Sequence, residues 1–105
     1  MRYRVIVTPN AEAELRVAYR YIRDRAPDAA REWLKGARMK FRSLTHDAER
    51  APLAPESVSF EEPVRELFYG TGNRGTYRIL FVVLDRVVYI VHFRHGSMLP
   101  IAGAK

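Results

Sequence analysis

Apolar positions recur with two periods along this chain, and the change between them marks the elements. Residues 3–8, Tyr-Arg-Val-Ile-Val-Thr, are β-branched and aromatic and predict a strand. At Thr8-Pro9 the period changes: a hydroxyl in the N-cap place and proline at the first helical position predict a helix start. Glu12 and Glu14 then sit where the helix dipole favours negative charge. Ala11, Leu15, Ala18 and Ile22 form one apolar face, and Pro27 stops the helix near residue 25. Asp28 is read as the cap of a second helix with the stripe Ala30, Trp33/Leu34, Ala37, Phe41 and Leu44. Two amphipathic helices joined by a short turn predict an αα-hairpin.

Residues 47–63 break both periods. Pro52, Pro55 and Pro63 oppose helix and central strand, and residues 47–62 carry five acids against one Arg. A surface connection is expected there, pinned by Val58 and Phe60. Three strands follow. Val64–Tyr69 alternates, and Gly70–Gly75 turns. Thr76–Leu84 is nearly continuously apolar, as a central strand is, and Asp85-Arg86 makes a two-residue hairpin before Val87–Arg94. The order is β-α-α-β-β-β. The predicted class is α+β, with the helical hairpin packed on one face of an antiparallel sheet and the other face partly open. The length of 105 residues sets a single domain, 1–105, with 97–105 expected as a flexible tail.

Composition narrows the chemistry. Cysteine is absent, which excludes disulfides, thiolate metal sites and cysteine nucleophiles. No apolar run approaches the ~20 residues of a membrane span. Met1-Arg2-Tyr3-Arg4 leads straight into the strand without a signal-peptide core, so a cytoplasmic protein without membrane contact is expected. The net charge of +6 suits an acidic partner, either nucleic acid or an acidic protein segment. The hairpin region 9–46 holds nine basic and five acidic residues. Its stripes Arg16/Arg20/Arg23 and Arg31/Lys35/Arg38/Arg42 are either a solvated face or an electrostatic dock. Exposed strand edges offer a second docking mode, the addition of a partner strand.

The most pointed local signal is Arg78, a charge inside an apolar strand. Burying a guanidinium without a partner costs several kcal/mol. Arg78 therefore either pairs with a carboxylate such as Glu66 on the preceding strand, or faces the open side of the sheet as a clamp for phosphate or carboxylate. His95, at the end of the last strand, is placed to move protons or is simply an exposed histidine beside a turn. His46 reads as a dipole partner at a helix end. The histidines have no metal-ligand spacing, the glycines of 70–75 lack a phosphate-loop ending, and Ser97 shows no triad. No metal or cofactor is expected.

Tyr3–Leu15, the Trp33-bearing second helix, Val64-Arg-Glu-Leu, Tyr77-Arg-Ile-Leu-Phe-Val-Val and Val91-His-Phe-Arg-His-Gly96 together resemble the RelE/ParE superfamily of bacterial toxins. The likeness covers residues 3–96. It implies the toxin half of a type II toxin–antitoxin module, a growth inhibitor held in a hetero-oligomer by a small acidic cognate antitoxin. RelE-like members cut mRNA on the ribosome without metal, and ParE-like members inhibit DNA gyrase. Gly96 stands where the nuclease branch keeps a tyrosine, no Lys cluster precedes the second strand, and the tail lacks the nuclease Arg and Tyr. The resemblance therefore favours the ParE branch. For a nuclease it implies Arg78 as stabiliser of the phosphorane charge, with His95, or Glu66 or Glu61, as the proton shuttle. For a gyrase inhibitor it implies contacts by Arg65, Arg74, Arg78 and Arg94, with no catalytic residue. A toxin-like binding module without activity is the third possibility.

Overall fold

The chain leaves its first strand for an out-and-back excursion through two helices and returns to where it began. The computed structural model describes residues 2–70 and 75–98. It runs β1 (Arg4–Val7), α1 (Pro9–Arg23), α2 (Pro27–Asp47), two short 3-10 turns (Ala48–Arg50 and Pro55–Ser59), β2 (Arg65–Tyr69), β3 (Tyr77–Leu84) and β4 (Val87–His95). The expected tail lies outside the described residues from position 99 onward, as do residues 71–74 of the expected glycine turn.

Thr8 caps α1 as its side chain predicts. Its oxygen accepts from the Ala11 N–H at 3.3 Å, and its O–H donates to the Ile90 carbonyl at 2.8 Å, tying the helix start to β4. The second helix starts two residues earlier than expected. Pro27 opens α2 at its first position behind Ala26, and Asp28 sits in the first turn, 2.8 Å from Arg31, instead of capping. A proline there both ends α1 and starts α2, because its missing N–H is one no helix start uses.

The sheet order is β1-β4-β3-β2. The pairs β2–β3 and β3–β4 are antiparallel, as expected, but β1 runs parallel to β4, so the sheet is mixed. The cause is a parity. The end of α2 comes back to the start of β1, where the Tyr3 N–H donates to the Thr45 carbonyl at 2.8 Å. β2 therefore sets out from the end where β1 began, and two hairpin reversals return β4 to the same direction. Between Leu80 and Phe81 the β3–β4 register slips by one residue of β4, at Val91. This bulge lets Val88 and Ile90 on one side of it, and Phe93 beyond it, all face the helices.

Every residue of the two predicted helix stripes is buried except the alternative Leu34, which is half-buried. Trp33 is the hub, with ring centroids 5.4 Å from Tyr77, 5.7 Å from Phe93 and 5.8 Å from Tyr69. The Tyr69 hydroxyl donates to the Trp33 carbonyl at 2.7 Å, over the space left by Gly36. On the opposite face of the sheet a smaller cluster joins Ala54, Val64 and Leu80. The segment 48–63 thus covers part of the face expected to be open. Val58 and Phe60 do not pin it: Val58 is 92% exposed, while the buried residues are Ala48, Ala51, Ala54 and Glu56. Backbone bonds from Ala54 to Val64 (2.7 Å) and from Glu66 to Pro52 (3.0 Å) lay this segment along β2.

Candidate functional site

Strand alternation decides where Arg78 goes. Tyr77, Ile79 and Phe81 belong to the helix-backed core, so Arg78 and Leu80 point to the other face. There Arg78 is 7% exposed and meets two carboxylates. Its Nη2 donates to Glu56 Oε1 at 2.6 Å and its Nη1 to Glu56 Oε2 at 2.9 Å, a two-pronged pairing. Its Nε donates to Glu66 Oε1 at 3.0 Å. Both carboxylates favour the charged guanidinium, the Glu56 hydrogen bonds most, and raise its pKa above the ordinary arginine value. The pair with Glu66 is one of the two alternatives that the sequence leaves open. Glu56 was not singled out, although one signal pointed to it: a guanidinium buried in an apolar strand needs more than one carboxylate, and residues 47–62 hold five acids.

Arg94 stands directly across from Arg78 in the β3–β4 register, and Phe68 across from it on β2, half exposed. Arg94 is half-buried, so the row Phe68–Arg78–Arg94 shows both charge and apolar surface. Arg65 lies at the other end of the sheet. Its Nη1 donates to the Ala51 carbonyl at 2.7 Å and latches the incoming segment. Arg74 is outside the described residues. Glu61 is exposed.

His95 is on the helix side. It stands edge-on to Tyr77, with centroids 5.1 Å apart, and its Nε2 packs against Gly75, where a Cβ would collide with the imidazole. Gly75 has φ of 79°, a second reason for glycine there. The Ser97 N–H donates to His95 Nδ1 at 3.1 Å, which puts the proton of the neutral ring on Nε2. His95 lines an open, mostly apolar groove of about 960 Å³ between α1 and the ends of β3 and β4, walled by Val17, Tyr21, Phe93 and Met98. The structure thus brings Arg78, Glu66 and Arg94 to one face and places His95 on the other.

A second unforeseen cluster joins α1 to β4. Asn10 Nδ2 donates to the Val91 carbonyl at 2.9 Å, and the Phe93 N–H donates to Glu14 Oε1 at 3.0 Å. His92 Nδ1 lies 3.1 Å from the same Glu14 oxygen. These side chains complete the β4 edge where β1 has already turned into α1. Glu12 clamps the helices together. It accepts two bonds from Arg38 at 2.6 and 2.7 Å and one from Arg16 at 2.9 Å. Those arginines hold its carboxyl at about 2, well below the usual range. The basic stripes are therefore partly spoken for: Arg16 and Arg38 by Glu12, Arg31 by Asp28 and Arg23 by Asp24. Among the described residues no group of three His, Cys, Asp or Glu side chains is placed to hold a metal ion, and no helix is long and apolar enough to cross a membrane.

The family described as the ParE toxin of the type II toxin–antitoxin system parDE matches residues 5–100. Among solved structures, the chromosomal ParDE toxin–antitoxin system from P. aeruginosa contains a chain 21% identical to this one, with a TM-score of 0.69; the likeness covers 90% of this chain and 96% of that one. A chain of the RelBE2 toxin–antitoxin complex from Mycobacterium tuberculosis is 22% identical, with a TM-score of 0.50, over 90% of this chain and 99% of the other. At these identities the likeness is one of fold. No curated protein matches the sequence.

Proposed function

The chain belongs to the ParE toxin family of type II toxin–antitoxin systems, and from that premise we propose that it arrests growth by binding DNA gyrase in the cytoplasm, not by cutting RNA. A cognate acidic antitoxin holds it inactive in a hetero-oligomer. One observation carries the choice between the two mechanisms. The candidate nuclease residues do not converge: Arg78 and Glu66 lie on one face of the sheet, His95 on the other, and the Arg78 guanidinium is already filled by Glu56 and Glu66. A phosphorane-stabilising arginine has to meet its phosphate together with the proton-transfer group. A binding surface has no such requirement. Arg94, in one row with Arg78 and the half-exposed Phe68, is the contact residue favoured on that face, whereas Arg65, paired with Phe81, belongs to the helix side.

The test is direct. Purified protein is assayed for inhibition of supercoiling by gyrase and for ribosome-dependent mRNA cleavage. Loss of supercoiling with intact mRNA is the expected result. Cleavage that disappears in Arg78→Gln, with folding verified by circular dichroism, overturns the mechanism. Strong expression of soluble protein without antitoxin and without growth arrest points instead to an inactive toxin-like binding module.

A further inference from the structure

In both helices the cations lie across from the buried stripe. On α1, Ala11, Leu15, Ala18 and Ile22 face the core. With about 3.6 residues per turn, Arg20 points almost straight away from that face, and Arg16 and Arg23 stand one turn before and one turn after it. On α2, Arg31, Lys35, Arg38 and Arg42 recur at spacings of three and four and make a second row roughly 16 Å long. Glu12 joins the rows. It accepts from Arg16 in the first and from Arg38 in the second, and so fixes two guanidiniums along the crease between the helices.

The acids do not cancel this charge. Glu12, Asp24, Asp28 and Glu32 stand among the seven cations, while the fifth acid of the hairpin, Glu14, is turned to β4. Asp24 and Asp28 meet Arg23 and Arg31 in open solvent, and pairs so exposed hold each other weakly. Arg20, Lys35 and Arg42 are exposed, and among the described residues no carboxylate pairs with them. The rows also lack what a protein partner needs. Of the large apolar side chains exposed on the hairpin, Val17 and Tyr21 wall the groove against β3 and β4, and only Met39 borders a cationic row. Protein interfaces are held through desolvated apolar and aromatic anchors. A phosphate backbone asks for cations alone.

We propose that the outward face of the helical hairpin binds the phosphate backbone of duplex DNA, without regard to base sequence. A duplex carries one negative charge per about 1.7 Å of its axis, so the α2 row lies beside about ten phosphates. Packed helices stand about 8–10 Å apart, between the widths of the minor and major grooves, so each row can follow one strand. A single strand is held largely by stacking on aromatic side chains, and neither row contains one. Arg94 and Phe68 are on the other side of the sheet. The proposal therefore goes beyond the gyrase reading and does not rest on it.

The experiment is a titration of the purified protein into a fluorescent duplex of mixed sequence, read by anisotropy between about 50 and 200 mM salt. The logarithm of the association constant is expected to fall with that of salt at a slope of about −4, as about four phosphates are neutralised. Arg20→Gln/Lys35→Gln, with folding verified by circular dichroism, is expected to weaken binding at least about tenfold and to flatten the slope by about 2. Arg4→Gln/Arg86→Gln removes the same charge from exposed positions at the far end of the sheet, and is expected to leave affinity within about threefold. Equal weakening by the two double variants overturns the site, since net charge alone would then account for binding. Absence of binding at the lowest salt overturns the proposal, and so does tighter binding of single-stranded RNA than of the duplex. The titration contains no gyrase, so its failure leaves the gyrase reading untouched.

Discussion

Arg78 and Glu56 face each other through two hydrogen bonds of 2.6 and 2.9 Å, and both side chains are almost wholly removed from water. Removing one member of a buried pair costs up to about 3–5 kcal/mol, and the bond from Arg78 to Glu66 keeps the cost of losing Glu56 at the lower end. Glu56→Ala is expected to lower the unfolding free energy by about that amount in urea titrations. The double variant Glu56→Leu/Arg78→Met is expected to recover part of the loss, since the buried guanidinium that has lost its two-pronged partner goes as well. If the single and double variants show no coupling, the pair is not the fastener of the 48–63 segment.

Acid should loosen the helical hairpin through Glu12. Its folded carboxyl titrates at about 2, against an ordinary value of 4.5. A depressed folded value means that the contribution is complete above pH 4.5 and lost as pH falls through 2. With Arg16 well exposed and Arg38 more than a third exposed, solvent screening keeps the effect to about 1 kcal/mol. Glu12→Gln is expected to flatten the stability profile between those two pH values while lowering its plateau, measured by chemical denaturation at each pH.

The β3–β4 hairpin turns on Asp85 and Arg86, with φ of 50° and 63°. Both lie in the left-handed region, which Asn and Gly occupy at least cost. Asp85→Asn/Arg86→Gly is expected to stabilise the protein by about 1 kcal/mol. That corresponds to a rise in Tm of roughly 4–8 °C for a domain near this size. An unchanged or lower Tm would mean that the turn is held by something other than its backbone.

Gly36 lies inside α2, where alanine would ordinarily stabilise the helix by about 1 kcal/mol. Here a Cβ would overlap the Tyr69 hydroxyl. Gly36→Ala is therefore expected to destabilise the protein, and Tyr69→Phe, which removes the obstructing oxygen, is expected to relieve the cost in the double variant. Additive effects of the two changes in thermal melts would argue against the clash.

The helices were legible in the chain because a 3.6-residue period is local: Ala11, Leu15, Ala18 and Ile22 announce their burial by spacing alone. So was the tension at Arg78, a charge among Ile, Leu, Phe and Val. What spacing does not reveal is direction and distance. The parallel run of β1 beside β4 follows from where α2 ends, which no strand pattern records. Glu56 looked like one acid among several in an irregular stretch, and Val58 and Phe60 looked like better pins because hydropathy ranks them higher. The buried ion pair outweighed that ranking. The split of His95 from Arg78 across the sheet rests on one residue of strand parity at Tyr77–Arg78, against partners far away in sequence.

The pairing of Arg4 with Val87 has a consequence for how the protein is made. Of the four described strands β1 leaves the ribosome first, yet its neighbour in the sheet is the last of the four to be synthesised. The segment must wait, unpaired, through production of nearly the whole chain, and closing that long loop is a late and slow event in folding. The sheet therefore cannot close until β4 has been made, and any surface that needs the closed sheet forms only from then on.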